Sequence, residues 1–272
     1  TLPRGSQPFG IATSASGFAL VVLEGSGQLL KFDTASYAQT GSRALGANPR
    51  HVSISADGAT AYVSRFITPP LPGESTAAVA PTAATGGEVL TIDTATLNLV
   101  RSVVLAHSDK ADAENQGRGV PNYLGAAVIS PDGASAWVPG KQDNLKRGAL
   151  RDTLPLNFQN TVRAISSRID LAGGSEELAA RIDHDNASMA SAAVFDPKGL
   201  FLFIALETSR EVAVVDAHGR REMFRLEVGR APQGLVLSVD GLTPYVNNFM
   251  ARSVSEIDLR PLIRRTRGGV AT

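Results

Sequence analysis

The chain of 272 residues contains no cysteine. That absence excludes disulfides, thiolate catalysis, cysteine zinc sites and covalent haem attachment through Cys-x-x-Cys-His. No run of eighteen apolar residues occurs, so no helical membrane span is expected, and no charged-then-apolar leader is visible after Thr1. Neither sign of charge is in excess: Lys plus Arg and Asp plus Glu each number 26. A chain without a net field gives no reason to expect nucleic acid as a partner. Also missing are a Gly-x-Ser-x-Gly elbow, a phosphate-binding Walker loop, a dinucleotide fingerprint in strand-to-helix context and a His-Glu-x-x-His pair.

What is present is a repeat. Pro49-Arg50-His51-Val52-Ser53-Ile54-Ser55-Ala56-Asp57-Gly58 and Pro232-Gln233-Gly234-Leu235-Val236-Leu237-Ser238-Val239-Asp240-Gly241 are the clearest copies, each followed by a Tyr-Val strand. Further copies begin at Pro8, Tyr123 and Ser188. Their turn glycines, Gly17, Gly58, Gly133, Gly199 and Gly241, lie 41, 75, 66 and 42 residues apart. The short intervals match one four-stranded antiparallel blade of a β-propeller, and the two long ones carry insertions too short for another blade. The expected fold is therefore all-β, a single β-propeller domain over residues 1–272 with five four-stranded blades. In the fourth copy the strands are expected at 192–195, 200–205, 211–216 and 223–228.

Third strands end on Asp33, Asp93, Asp170, Asp216 and Asp258. An Asp recurring there whatever its surroundings is expected to cap the following hairpin turn rather than to do chemistry. The last copy lacks a convincing fourth strand, while residues 1–10 align with 225–234, a fourth strand leading into the next blade. Residues 1–4 are thus expected to complete the last blade and close the ring; the rival is a slice of a larger ring, open or closed by oligomerisation.

First strands run from one face, here the top, to the Ser-x-Asp-Gly turns below. Insertions at 66–86, 107–119 and 141–160 then fall on the top, which is expected to be the working face around the central channel. Histidines His51, His107 and His184 lie there, with His218 in a bottom turn. Glu24, Asp143, Asn144 and Arg252 are also placed on top. His184 and His51 are the candidate catalytic residues, and His184, Asp185 and His51 the candidate ligands of a divalent metal such as calcium, magnesium or zinc. Arg50, Arg65, Asn122, Lys141, Glu207, Asn247 and Asn248 are candidate ligand-binding residues; the bland alternative is a rim of mutually balanced surface charge. Arg260 to Arg267 reads as a basic, solvated end.

The run Gly-Leu-Val-Leu-Ser-Val-Asp-Gly, Pro-Tyr-Val-Asn-Asn and Ser-Val-Ser-Glu-Ile-Asp-Leu between Gly234 and Leu259 resembles the YVTN family of propeller repeats, found in extracytoplasmic proteins and lactonase-like propellers. The stretch from Pro121 to Asp258 also looks like propellers that precede di-haem, peroxidase-like cytochrome modules. The resemblance implies a periplasmic or secreted protein binding a small molecule or protein partner on its top face, including as the docking part of a redox system. The alternative it implies is a metal-dependent hydrolase acting on a lactone, ester or phosphotriester.

Overall fold

The structure, a computed structural model, describes residues 2–261. Among them the strands form five antiparallel sheets in chain order, the arrangement of a β-propeller. The first sheet comprises β1 (Pro8–Ser14), β2 (Phe18–Leu23), β3 (Gln28–Asp33) and β4 (Gln39–Ala44). The second comprises β5 (Pro49–Ile54), β6 (Thr60–Arg65), β7 (Gly86–Asp93) and β8 (Leu99–Ala106). The third contains β9 (Ser108–Ala113), β10 (Gln116–Asn122), β11 (Val128–Ile129), β12 (Ser135–Asp143), β13 (Val162–Asp170), β14 (Ser175–Glu176) and β15 (Ile182–His184). The fourth comprises β16 (Ala190–Phe195), β17 (Phe201–Leu206), β18 (Glu211–Asp216) and β19 (Arg221–Glu227), close to the expected bounds. The fifth has only β20 (Pro232–Leu237), β21 (Pro244–Asn248) and β22 (Ser253–Glu256).

The turns explain why the repeat folds this way. In the second copy Ser55 Oγ donates to Asp57 Oδ1 at 2.5 Å, Asp57 Oδ1 accepts from Ala59 N–H at 3.0 Å and Ser55 Oγ from Thr60 N–H at 2.9 Å. Ser130 with Asp132 and Ser238 with Asp240 repeat the pattern. The Asp residues closing the third strands cap their turns: Asp33 accepts from Ser36 Oγ and Ser36 N–H, and Asp93 does the same with Thr96. The side-chain hydrogen bond from Ser36, followed by its backbone bond, holds the Asp33 carboxyl below the ordinary value.

Strand alternation sends one row of each sheet forward and one back. Four apolar cores result, each between consecutive sheets. Leu20, Val22 and Leu29 meet Val52, Val63 and Leu90, while Tyr62, Val89 and Val103 meet Ala136, Val138 and Ile169. Trp137 and Ala164 meet Leu202, Ile204 and Leu206, and Phe203 and Val212 meet Val246.

The expected closure does not occur. Four blades are complete and the fifth stays three-stranded, because Leu2–Arg4 form no strand and Thr1 lies outside the described residues. The physical reason is a local turn: Ser6 N–H and Ser6 Oγ both donate to the Pro3 carbonyl, at 3.2 and 2.6 Å, with Gly5 at φ +85°, which folds residues 3–6 out of the extended form a fourth strand needs.

Candidate functional site

The insertions meet on one side. Residues 107–119 fold mainly as the β9–β10 hairpin, which prolongs the first strand of the third sheet, and β12 and β13 run nine residues each to carry 144–161 beyond the sheet. A single helical turn, α1 (Phe158–Thr161), ends that insertion, capped by Asn157, whose side chain accepts from Asn160 N–H. Arg151 Nη2 donates to the Glu74 carbonyl at 2.8 Å, and Lys146 pairs with Asp109 at 2.7 Å, tying the third insertion to the other two.

Between them opens a cleft of about 610 Å³. Carboxylates of Asp112, Glu114, Asp185 and Glu222, guanidinium groups of Arg147, Arg163 and Arg225, and the amides of Asn115, Asn157 and Asn160 line it. Most of these charges are paired. Arg147 meets Asp112 at 2.7 Å, Arg163 meets Asp185 at 2.5 Å, and Arg225 meets Glu222 at 2.6 Å. Asp185 also accepts from the Asn115 N–H at 2.7 Å, clamping the hairpin tip to the end of β15. Two groups remain uncommitted: Glu114 makes no hydrogen bond or ion pair among the described residues, and Arg147 Nε is buried with no partner.

Behind the cleft wall lies a hydrogen-bonded chain. His184 Nδ1 is 2.7 Å from Glu222 Oε2, and His184 Nε2 is 3.0 Å from Ser166 Oγ. This is the order of contacts of a nucleophile, base and orienting acid. Ser166 is 1% exposed and His184 is 0% exposed, however, so the chain is sealed between the third and fourth sheets and holds them together. Burial alone would push the Glu222 carboxyl up, but hydrogen bonds from His184 and Arg225 outweigh it and hold the carboxyl below its ordinary value. Nearby, burial raises Asp183 to about 6 against the pull of Arg181 and Arg163.

The expected site residues are distributed differently from the sequence reading. Of the candidate metal set, Asp185 lines the cleft and His184 sits in its wall, whereas His51 belongs to the first strand of the second sheet. His51 packs edge-on to Phe9 at 5.1 Å, and burial, with Arg50 beside it, lowers its pKa to about 4. Among the described residues no group of three or more His, Asp or Glu side chains is arranged to hold a metal ion.

Arg50 makes a two-pronged pair with Glu24, both bonds 2.9 Å, and stacks on Phe66 at 3.2 Å and Phe9 at 4.6 Å. Phe66 stacks on Tyr123 at 4.4 Å, and Lys141 lies over Tyr123 at 4.0 Å while pairing with Asp143 at 2.9 Å. A cation–aromatic ladder thus joins the first three sheets. Arg65 is held by Glu88 and the Leu45 carbonyl, and Asn122 donates to Asp143 at 2.8 Å. Glu207 accepts from Gln233, Asn248 is buried with its Nδ2 on Ser255 Oγ, and Asn247 is exposed. Neither ladder nor cleft draws on Glu207, Asn247 or Asn248.

The cleft is framed by the β9–β10 hairpin, the start of β13, the residues that follow β15 and the outer strand β19. Sequence reasoning placed the insertions correctly but missed Asp112, Glu114, Arg147, Arg163, Glu222 and Arg225. The density of polar residues in the second and third insertions is a signal for the first three. Glu222 and Arg225 carry none, since polar residues on an outer strand are unremarkable before its neighbours are known.

No protein-family model and no curated protein matches the chain. Solved structures do resemble it. A functionally unknown protein from Desulfotomaculum acetoxidans DSM 771 aligns over 94% of this chain and 71% of its own, at 15% identity and TM-score 0.58. The Cps50 (Swd1) β-propeller domain of Myceliophteria thermophila aligns over 91% of this chain and 64% of its own, at 13% identity and TM-score 0.55. Hydrazine synthase of Kuenenia stuttgartiensis aligns over 95% of this chain and 97% of its own, at 18% identity and TM-score 0.43. The chain is a β-propeller; likeness at this identity speaks for the fold alone.

Proposed function

We propose that the protein is a propeller-type binding module that takes a small zwitterionic ligand into the cleft between its second and third insertions. The observation that carries this reading is one cleft that brings guanidinium and carboxylate groups together, with the exposed Glu114 carboxylate making no hydrogen bond or ion pair among the described residues. A ligand ammonium facing Glu114 and a ligand carboxylate facing the Arg147 guanidinium would each gain a charge-assisted hydrogen bond. The remaining ion pairs hold the walls in place before binding, which limits the ordering cost.

An extracytoplasmic location is supported by the repeat resemblance. A redox-docking role and a hydrolase activity rest on that resemblance, and a divalent metal on the sequence placement of His184, Asp185 and His51; the sealed Ser166 and His184 add nothing to the hydrolase reading.

The test is a thermal-shift and calorimetry series with free amino acids and betaines as probes, beside uncharged sugars as controls. A zwitterion that raises the melting temperature, and loses at least tenfold in affinity with Glu114→Ala and with Arg147→Ala, supports the proposal. Zwitterions that bind no better than the sugars, or binding indifferent to both changes, refute it. Turnover of lactone, aryl ester or phosphotriester that a chelator abolishes would favour the hydrolase instead.

A further inference from the structure

The first and fifth sheets carry faces of the kind that pack blade on blade, and among the described residues nothing covers them. Each internal sheet buries its back row against the front row of the next. In the second sheet the back row includes Tyr62 and Val89, with Ser64 opposite Val89, and the front row includes Val52 opposite Val63. The repeat places Tyr245 where Tyr62 stands, and the register that sets Val254 opposite Asn247 makes Val254 the counterpart of Val89. It likewise places Ile11, opposite Val21, where Val52 stands. Yet Val89 is 0% exposed and Val254 66%, and Val52 is 7% exposed and Ile11 66%. Val236, opposite Tyr245 on the back of the fifth sheet, is exposed as well. None of the four apolar cores joins the fifth sheet to the first.

We infer that the protein associates head to tail with a second copy of itself, the back of the fifth sheet of one protomer packing on the front of the first sheet of its partner. The choice of occupant follows from the repeat. The chain holds both halves of one more blade-to-blade interface, a back row and a front row of the kind that meet four times within it, and the arc keeps its own two halves apart. Exposed apolar patches of this kind mark association surfaces. A back-to-front contact is heterologous, so two copies either close on each other or begin an open chain. This inference is independent of the ligand cleft, whose residues lie on the third and fourth sheets and their insertions.

The experiment is light scattering coupled to size exclusion, on the full chain. Wild type is expected at twice the single-chain mass or more. Ile11→Asp and Val254→Asp each alter one open face, and each is expected to drop to the single-chain mass while keeping the wild-type circular dichroism spectrum and melting temperature. Mixing the two variants is expected to restore a species of twice that mass, because the intact back of one meets the intact front of the other. Wild type remaining at single-chain mass at its highest soluble concentration overturns the inference, including where sheets of a different polypeptide cover both faces. Variants that each still associate, or that fail to complement on mixing, overturn it too.

Discussion

Replacing Glu222 with Ala tests whether the buried His184 chain fastens the third sheet to the fourth. The substitution removes the acceptor 2.7 Å from His184 Nδ1, a donor in a side chain with no exposed surface. A buried group so stranded costs about 1–3 kcal/mol. Arg225 loses its 2.6 Å partner but keeps Glu211 at 3.1 Å and the Asp185 carbonyl at 2.7 Å, so that loss adds about 0–1 kcal/mol. The sum is about 1–4 kcal/mol. At about 2–4 °C per kcal/mol for a domain of this size, the melting temperature should fall by about 2–16 °C. Glu222→Gln keeps an oxygen for His184 and should cost about 1 kcal/mol.

Urea unfolding at neutral pH measures both variants. Because Glu222 is held below its ordinary value of 4.5 in the folded protein, its contribution is complete above that value and disappears as pH falls through the lower folded value. The gap between wild type and Glu222→Gln should therefore narrow in acid. An Ala variant within about 0.5 kcal/mol of wild type, the spread of ordinary surface substitutions, would refute the account, as would Gln and Ala variants of equal stability.

His51 should titrate near 4 in the folded protein, followed by its ring proton shifts in NMR. The unfolded imidazole takes up a proton below 6.5 while the folded one stays neutral, so stability should decline from about 6.5 towards about 4, less steeply in His51→Phe. Asp185→Asn weakens the hold on Arg163 and on the Asn115 amide, and hydrogen exchange across the β9–β10 hairpin should quicken by about tenfold, equivalent to about 1.4 kcal/mol. Gly10→Ala would put a Cβ 2.4 Å from the Arg50 carbonyl oxygen, where β1 passes β5. Overpacking of this kind costs about 1–3 kcal/mol, visible as a lower denaturant midpoint.

The sequence by itself determined everything that depends on a few neighbouring residues. Ser55, Asp57 and Gly58 specify their turn wherever the chain goes next, and alternating rows such as Val52, Val63 and Leu90 specify which side of a sheet is apolar. Insertion lengths and strand direction then sufficed to put three long loops on one side. Only the tertiary structure decided what depends on distance across sheets. Whether residues 1–4 join the last sheet depended on how the segment before β1 folds, and Ser6 closes a turn onto the Pro3 carbonyl instead of leaving that segment extended. The same applies to charge. Arg50, Arg65 and Lys141 are candidate ligand-binding cations in the sequence, yet Glu24, Glu88 and Asp143 neutralise them in place. Glu222 reaches His184 across 38 residues of chain. Local turn chemistry repeats and can be counted, whereas the partner of a charged side chain is fixed by the packing of sheets that the repeat builds but does not name.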